Sequence, residues 1–347
     1  MQRFDLTIDV TDVAELGEPA HIALTVHLPA ADAISSPPVV CFAKPGGGYS
    51  KGYFTEDLPG PGSGAQAAWH AERGWIFVSV DHLGVGASSV HARGELLDYT
   101  RCAATAQAAE QEVLARLAKG TLADGFPAVT DPVTLGIGQS MGGCLTVVQQ
   151  GRYHCYDGIG VLGYGAVHTH PPVRPGEEPL TAMWRPRDTL QSDPMVLVNG
   201  PQLAAAARTT DARERGPAMA WGFHYDDVPQ EVIDADVVDF PTRNGKMTPW
   251  GSGTLPLAVS TSCLTPGIIA TEAAAVQSPV LVAMGERDVI ADPKGEPRAY
   301  LSARSVDLFI CPRMGHMHNF ASTRELFWRR IETWAAWVSA VKGGAPA

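Results

Sequence analysis

Ser140 lies between two glycines, in Gly138-Gln139-Ser140-Met141-Gly142, and this pentapeptide joins a strand pattern to a helix pattern. The apolar run Val133-Thr134-Leu135-Gly136-Ile137 reads as a buried strand, and Gly143 to Gln150 reads as the start of a helix. A chain that passes from strand to helix over so few residues must reverse sharply. The serine at the apex is then held in a strained backbone conformation, and glycine two positions away on each side leaves room for neighbouring backbone. Such a turn aims the hydroxyl into the open, and the helix N-terminus behind it favours developing negative charge. This is the pattern of a nucleophile elbow.

A nucleophilic serine needs a base, an acid and donors for an oxyanion. Val280-Leu281-Val282-Ala283-Met284 is a second apolar strand, ending in Gly285-Glu286-Arg287-Asp288. Val306-Asp307-Leu308-Phe309-Ile310 is a third, followed by Pro312-Arg313-Met314-Gly315-His316-Met317-His318. The order along the chain is therefore serine, acid, histidine, each in the loop after a strand. With that order the chain resembles the α/β-hydrolase superfamily, over nearly its whole length except the middle third. Two further landmarks carry the resemblance. The strand Val39-Val40-Cys41-Phe42-Ala43 runs into Lys44-Pro45-Gly46-Gly47-Gly48-Tyr49, where superfamily members often place a His-Gly-Gly-Gly loop; Pro45 stands in the position of that histidine. The strand from Gly74 to Val80 leads into Asp81-His82-Leu83-Gly84-Val85-Gly86-Ala87-Ser88, a recurrent structural signature in which Asp81 is expected to tie down backbone amides.

The resemblance implies Ser140 as nucleophile and His316 as general base, with His318 as a rival two residues on. It implies Asp288 as the acid, in preference to Glu286 and Asp292. The oxyanion would be held by the N–H of Met141 and by one of Gly47 and Gly48. The implied fold class is α/β, a mostly parallel central sheet flanked by helices. Strands alternating with helices agree with this and put ligands at the carboxyl ends of the strands.

Residues 4–13 and 21–28 alternate and predict an antiparallel hairpin before that sheet. Helices are expected over Gly62 to Arg73, over Asp98 to Lys119 with Gly120 as its stop, and over Thr323 to Val341. The last should face the core with Leu326, Phe327, Ile331, Trp334 and Trp337. Between Tyr164 and Ala275 the pattern breaks into proline- and arginine-rich sequence. A structureless loop of that length is improbable in a compact domain. The segment is therefore expected to fold as a largely helical cap (residues 164–275) between the sixth and seventh strands, over a core of residues 1–163 and 276–347. Leu203 to Arg208 and Gln230 to Asp236 are its best helical fragments. Tyr49, Trp184, Trp221, His224, Trp250 and His318 are candidates for lining the substrate pocket.

Composition narrows the partners. Apolar residues make up 45% and charged residues 18%, which suits a large buried sheet. A net charge of -11 without basic runs speaks against nucleic acid and anionic membrane surfaces, leaving a small molecule as the expected partner. Met1 to Leu6 carries no apolar signal core, and no run reaches membrane-spanning length. Six scattered cysteines read as free thiols in a reducing cytoplasm. No metal-ligand spacing is present beyond the loop pair in His168-Thr169-His170, so neither metal nor cofactor is expected.

A serine at the elbow disfavours the dehalogenases and epoxide hydrolases of the superfamily, which use aspartate there. Acyl chemistry remains, with carboxylic ester hydrolysis leading and thioester and lactone hydrolysis as variants. Carbon–carbon bond hydrolysis and acyl transfer would use the same residues, and a non-catalytic receptor on the same fold is the outlying reading.

Overall fold

The structure, a computed structural model, describes residues 1–344 apart from 93, 170, 171, 173, 177–219, 242 and 291. Eight strands form one sheet: β1 (Gln2–Asp9), β2 (His21–Leu28), β3 (Val39–Lys44), β4 (Ile76–Val80), β5 (Val133–Gln139), β6 (Gly158–Leu162), β7 (Val280–Gly285) and β8 (Val306–Cys311). Their spatial order is β1-β2-β4-β3-β5-β6-β7-β8. β1 and β2 pair antiparallel, as does β2 with β4, and every pairing from β4 across to β8 is parallel.

Strand residues alternate between two cores. On one face lie Val40 and Phe42 of β3, Ile76 and Val78 of β4, and Val280 and Val282 of β7. On the other lie Cys41, Ala43, Phe77, Leu135, Ile137, Leu281 and Ala283. A parallel sheet is covered on both faces by its crossover helices, so its strands are apolar throughout. Eight residues of β1 at the sheet margin show the contrast, since only Ile8 is buried.

The helices are α1 (Thr11–Ala14), α2 (Gly52–Thr55), α3 (Gln66–Ala71), α4 (Tyr99–Lys119), α5 (Met141–Tyr153), α6 (Gln230–Val237), α7 (Leu257–Ser262), α8 (Ala270–Ala275) and α9 (Arg324–Gly344). α4 begins where the Asp98 side chain accepts from Arg101 N, and it stops at Gly120 in the left-handed conformation. α4 and α5 cover one face of the sheet, and α9 covers the other.

Three expectations are corrected. The first strand ends at Asp9, not at residue 13, because the Asp9 carboxylate accepts from Thr11 N and opens α1. The helix expected from Gly62 begins only at Gln66, since Gly64 has φ +83° and cannot continue a helix back towards Gly62. In α9 the buried face is Phe327, Trp328, Ile331, Trp334, Ala335 and Val338; Leu326 and Trp337 are about half exposed, at 46% and 50%. The Trp337 indole instead donates to Ser305 Oγ at the sheet margin.

An inserted segment joins β6 to β7, as expected, and what is described of it is helical and irregular. The fragment Gln230 to Asp236 lies in α6, while Leu203 to Arg208 lies outside the described residues. α7 and α8 with their flanking caps place Val259, Cys263, Ile269 and Ala273 in the same core cluster as α4 and α5. No helix among the described residues is long and apolar enough to cross a membrane. All six cysteines are free thiols, five of them buried.

Candidate active site

At the carboxyl end of β5 the chain turns into α5 at Ser140, whose φ of 53° and ψ of -121° lie outside the regions open to ordinary residues. Holding such a conformation costs on the order of 1–3 kcal/mol, which the surrounding packing must offset. The glycines at 138 and 142 act as the sequence implied. A methyl group on Gly138 would run into the Gly142 carbonyl, and one on Gly142 would run into the Lys44 carbonyl.

Asp288 follows β7 and His316 follows β8. Asp288 Oδ1 lies 2.7 Å from His316 Nδ1 and 2.7 Å from Val289 N, while Oδ2 accepts from Gly285 N at 2.9 Å. An ionised carboxylate can only accept, so the proton of the neutral His316 ring sits on Nδ1 and its lone pair on Nε2. The two acidic rivals are occupied elsewhere. Glu286 accepts from Tyr225 Oη and Arg313 N at the surface, and Asp292 caps a 3-10 turn through Gly295 N.

His318 reaches the same carboxylate. Its Nε2 is 2.8 Å from Asp288 Oδ2, and its Nδ1 finds no partner among the described residues. Burial is the largest influence on His318 and pushes its pKa down, so it serves Asp288 as a neutral donor. Burial alone would raise the pKa of Asp288, but electrostatic attraction between the carboxylate and His316 and the hydrogen bonds from both histidines outweigh it. They hold the carboxyl well below the usual range.

The Nε2 side of His316 faces the elbow. Gln139 Nε2 donates there at 3.3 Å and to the His316 carbonyl at 3.1 Å. Among the described residues it is Gln139, not Ser140, that hydrogen-bonds the imidazole. Sequence reading missed Gln139, although its place beside the serine puts it at the same strand end.

The glycine loop closes a turn, with Tyr49 N donating to the Gly46 carbonyl at 3.2 Å and Gly48 at φ +79°. Gly46 comes within 3.1 Å of Ser140 Cβ, measured from the place a Cβ would occupy. In the same measure Gly47 faces Met141 Sδ at 3.7 Å and Leu255 Cδ1 at 3.9 Å, whereas Gly48 packs on the Phe240 ring. As the first residue of α5, Met141 has no intrahelical acceptor for its N–H. Asp81 does tie down backbone, accepting from Lys51 N and Ala87 N.

His82, the residue after Asp81, holds the loop from below, its Nε2 lying 2.9 Å from the Pro45 carbonyl. Burial pushes its pKa from 6.5 down to about 4. Between those values the unfolded chain binds a proton that folded His82 refuses, so the His82 contribution to stability falls as the pH is lowered across that window, against an opposite contribution from Asp81, whose pKa burial raises to about 6. His27 and His70, also displaced downward by burial, add to the same fall. Urea unfolding is expected to show this loss between pH 6.5 and 4, with a shallower slope in His82→Gln, which keeps a donor for Pro45. Equal slopes in the two proteins would contradict the assignment.

Among the pocket candidates, Tyr49, His224 and Trp250 are buried, and Tyr49 Oη, His224 Nε2 and Trp250 Nε1 are directed at one carboxylate, that of Asp236. Trp221 stacks on the Arg287 guanidinium, 4.5 Å from its ring centroid. Trp184 lies outside the described residues, as does His170. No group of three metal-ligating side chains occurs among the described residues. Phe223 lies 5.0 Å, centroid to centroid, from the His316 ring.

No protein-family model matches the sequence. No curated protein matches it either. Solved structures do match in shape. A proline iminopeptidase from Mycobacterium smegmatis shares 16% identity at a TM-score of 0.59, over 97% of this chain and 100% of the other. An esterase from Thermogutta terrifontis shares 15% identity at a TM-score of 0.54, over 97% and 99%. A haloalkane dehalogenase loop variant from Bradyrhizobium elkanii shares 14% identity at 0.58, over 99% of both chains. At such identities the likeness is one of fold.

Proposed function

We propose that this chain, which has the α/β-hydrolase fold, is a serine hydrolase that cleaves carboxylic esters through an acyl-enzyme. One observation carries the reading: His316 binds Asp288 through Nδ1 at 2.7 Å, with its Nε2 face turned to the strained elbow that bears Ser140. In this mechanism Ser140 Oγ attacks the ester carbonyl and its proton passes to His316 Nε2, which the Gln139 amide must yield. Asp288 keeps the proton on Nδ1 and stabilises the imidazolium that forms. The N–H groups of Met141 and Gly47 receive the oxyanion. Gly47 is preferred over Gly48 because it lies against Met141, while Gly48 is turned to Phe240. His316 then protonates the leaving alkoxide, and water activated by the same base releases the acid.

The substrate is a small molecule with an apolar acyl group. Phe223 beside His316 and Leu255 and Met141 beside Gly47 support that preference. A cytoplasmic location belongs to the same reading and is supported by the free thiols. A panel of nitrophenyl esters, acyl thioesters, lactones and β-diketones, each followed by product analysis, tests the reaction class. Esters should be turned over fastest, with a pre-steady-state burst of alcohol stoichiometric with enzyme. Diketone cleavage outpacing every ester would overturn the ester assignment.

A further inference from the structure

Asp236 lies on α6 in the inserted segment and is completely buried. A carboxylate taken out of water is costly unless its lone pairs are met. Four side chains from separate stretches of the chain meet them. Oδ2 lies 2.7 Å from Tyr49 Oη and 2.9 Å from His224 Nε2. Oδ1 lies 2.9 Å from Trp250 Nε1 and 3.4 Å from the Arg243 guanidinium.

Arg243 carries the connection further. Its Nε donates to the Asp236 carbonyl at 3.0 Å, and one terminal nitrogen donates to the carbonyls of Gly48 (3.1 Å) and Pro241 (3.0 Å). The Gly48 carbonyl accepts a second hydrogen bond from Ser252 N at 3.0 Å. Ser50 N donates to the Trp250 carbonyl at 2.8 Å, and Tyr49 bridges to Gly251. Phe240, beneath the guanidinium at 5.0 Å, packs against Gly48 itself. Gly48 and Tyr49 are thus fastened at carbonyl, backbone and side chain to residues more than 180 positions later in the chain.

We propose that Asp236 and Arg243 are positioning residues for the oxyanion site, and that the inserted segment sets the working geometry of the Gly46–Tyr49 turn. This rests on the reading of that turn as an oxyanion loop. A donor misplaced by an ångström still leaves a substrate bound but stabilises the tetrahedral oxyanion poorly. The network therefore acts on kcat and not on KM. Neither residue touches the reacting atoms.

Kinetics of the full chain on an ester and its thionoester analogue test the proposal. Sulfur accepts hydrogen bonds weakly, so a well-aligned oxyanion site makes the ester the much faster of the pair. Asp236→Asn and Arg243→Lys are each expected to lower kcat on the ester by roughly 10- to 100-fold, with KM changed by less than about 3-fold. The ester-to-thionoester rate ratio should fall towards unity in both. Tyr49→Phe removes one hydroxyl and keeps the ring, so it remains informative if the charged-pair variants do not fold; a several-fold loss of kcat and a reduced ratio are expected. An unchanged ratio in the folded variants, or a loss confined to KM, would overturn the positioning role. A wild-type protein that turns over no ester, thioester, lactone or β-diketone would instead remove the oxyanion reading on which the proposal stands, and the proposal with it.

Discussion

Replacing Ser140 by Ala is expected to lower kcat on a short-chain ester by roughly 10^4- to 10^6-fold while leaving the fold in place. The loss is large because a covalent mechanism has no substitute for its nucleophile. What survives comes from donors and pocket alone. The fold should tolerate the change for a separate reason. Ser140 adopts its positive φ because Gly138, Gly142 and the Lys44 carbonyl close around the turn, and alanine places the same Cβ there. The Ser140 N–H bond to the Leu162 carbonyl and the Cys144 N–H bond to the Ser140 carbonyl are both backbone and persist in the variant. Circular dichroism and thermal unfolding should therefore match the wild type. Ester turnover retained by a folded Ser140→Ala protein would remove the serine from the mechanism.

The two histidines should separate almost as widely. His316→Ala is expected to cost roughly 10^4- to 10^6-fold in kcat, since acceptance and return of the proton both pass through Nε2. His318→Gln should cost no more than about 10-fold, because His318 supplies one of several hydrogen bonds to Asp288 and it is the second nitrogen of His316, not of His318, that meets Gln139 at the elbow. The larger effect at His318 should be on stability. The shape change leaves a gap against Phe327, whose ring centroid is 4.5 Å from the imidazole, and misaligns the donor to a buried carboxylate, together on the order of 1–3 kcal/mol. Steady-state kinetics and urea unfolding on the same pair of variants decide the matter. A reversed ranking in kcat would exchange the roles.

Much of the fold was legible because parallel strands are written as short apolar runs. Those at 39–44, 76–80, 133–139, 280–285 and 306–311 were each visible to within two residues. The position of the elbow was equally plain, since only glycine fits at 138 and 142. The histidine was harder. His316 and His318 are two apart, both reach Asp288, and only the direction of the ring nitrogens distinguishes them. α9 misled by one turn face. It carries more apolar residues than a single stripe can bury, so Leu326 and Trp337 fall on its flank. The network on Asp236 had no signature at all. Its donors at 49, 224, 243 and 250 share no spacing, and an aspartate in a short helix ordinarily faces water. Tyr49, His224 and Trp250 attracted notice as pocket candidates for the aromatic surface that in the structure serves this carboxylate.

The central claim is that Ser140 is an activated nucleophile. Incubation of the folded wild-type chain with a fluorophosphonate, followed by digestion and mass spectrometry, reads it directly. One phosphonyl group per chain on the peptide containing Ser140, absent from Ser140→Ala and strongly slowed in His316→Ala, is the predicted result. A folded wild-type protein that takes up no label, or that carries it on another residue with equal labelling of Ser140→Ala, would contradict the account.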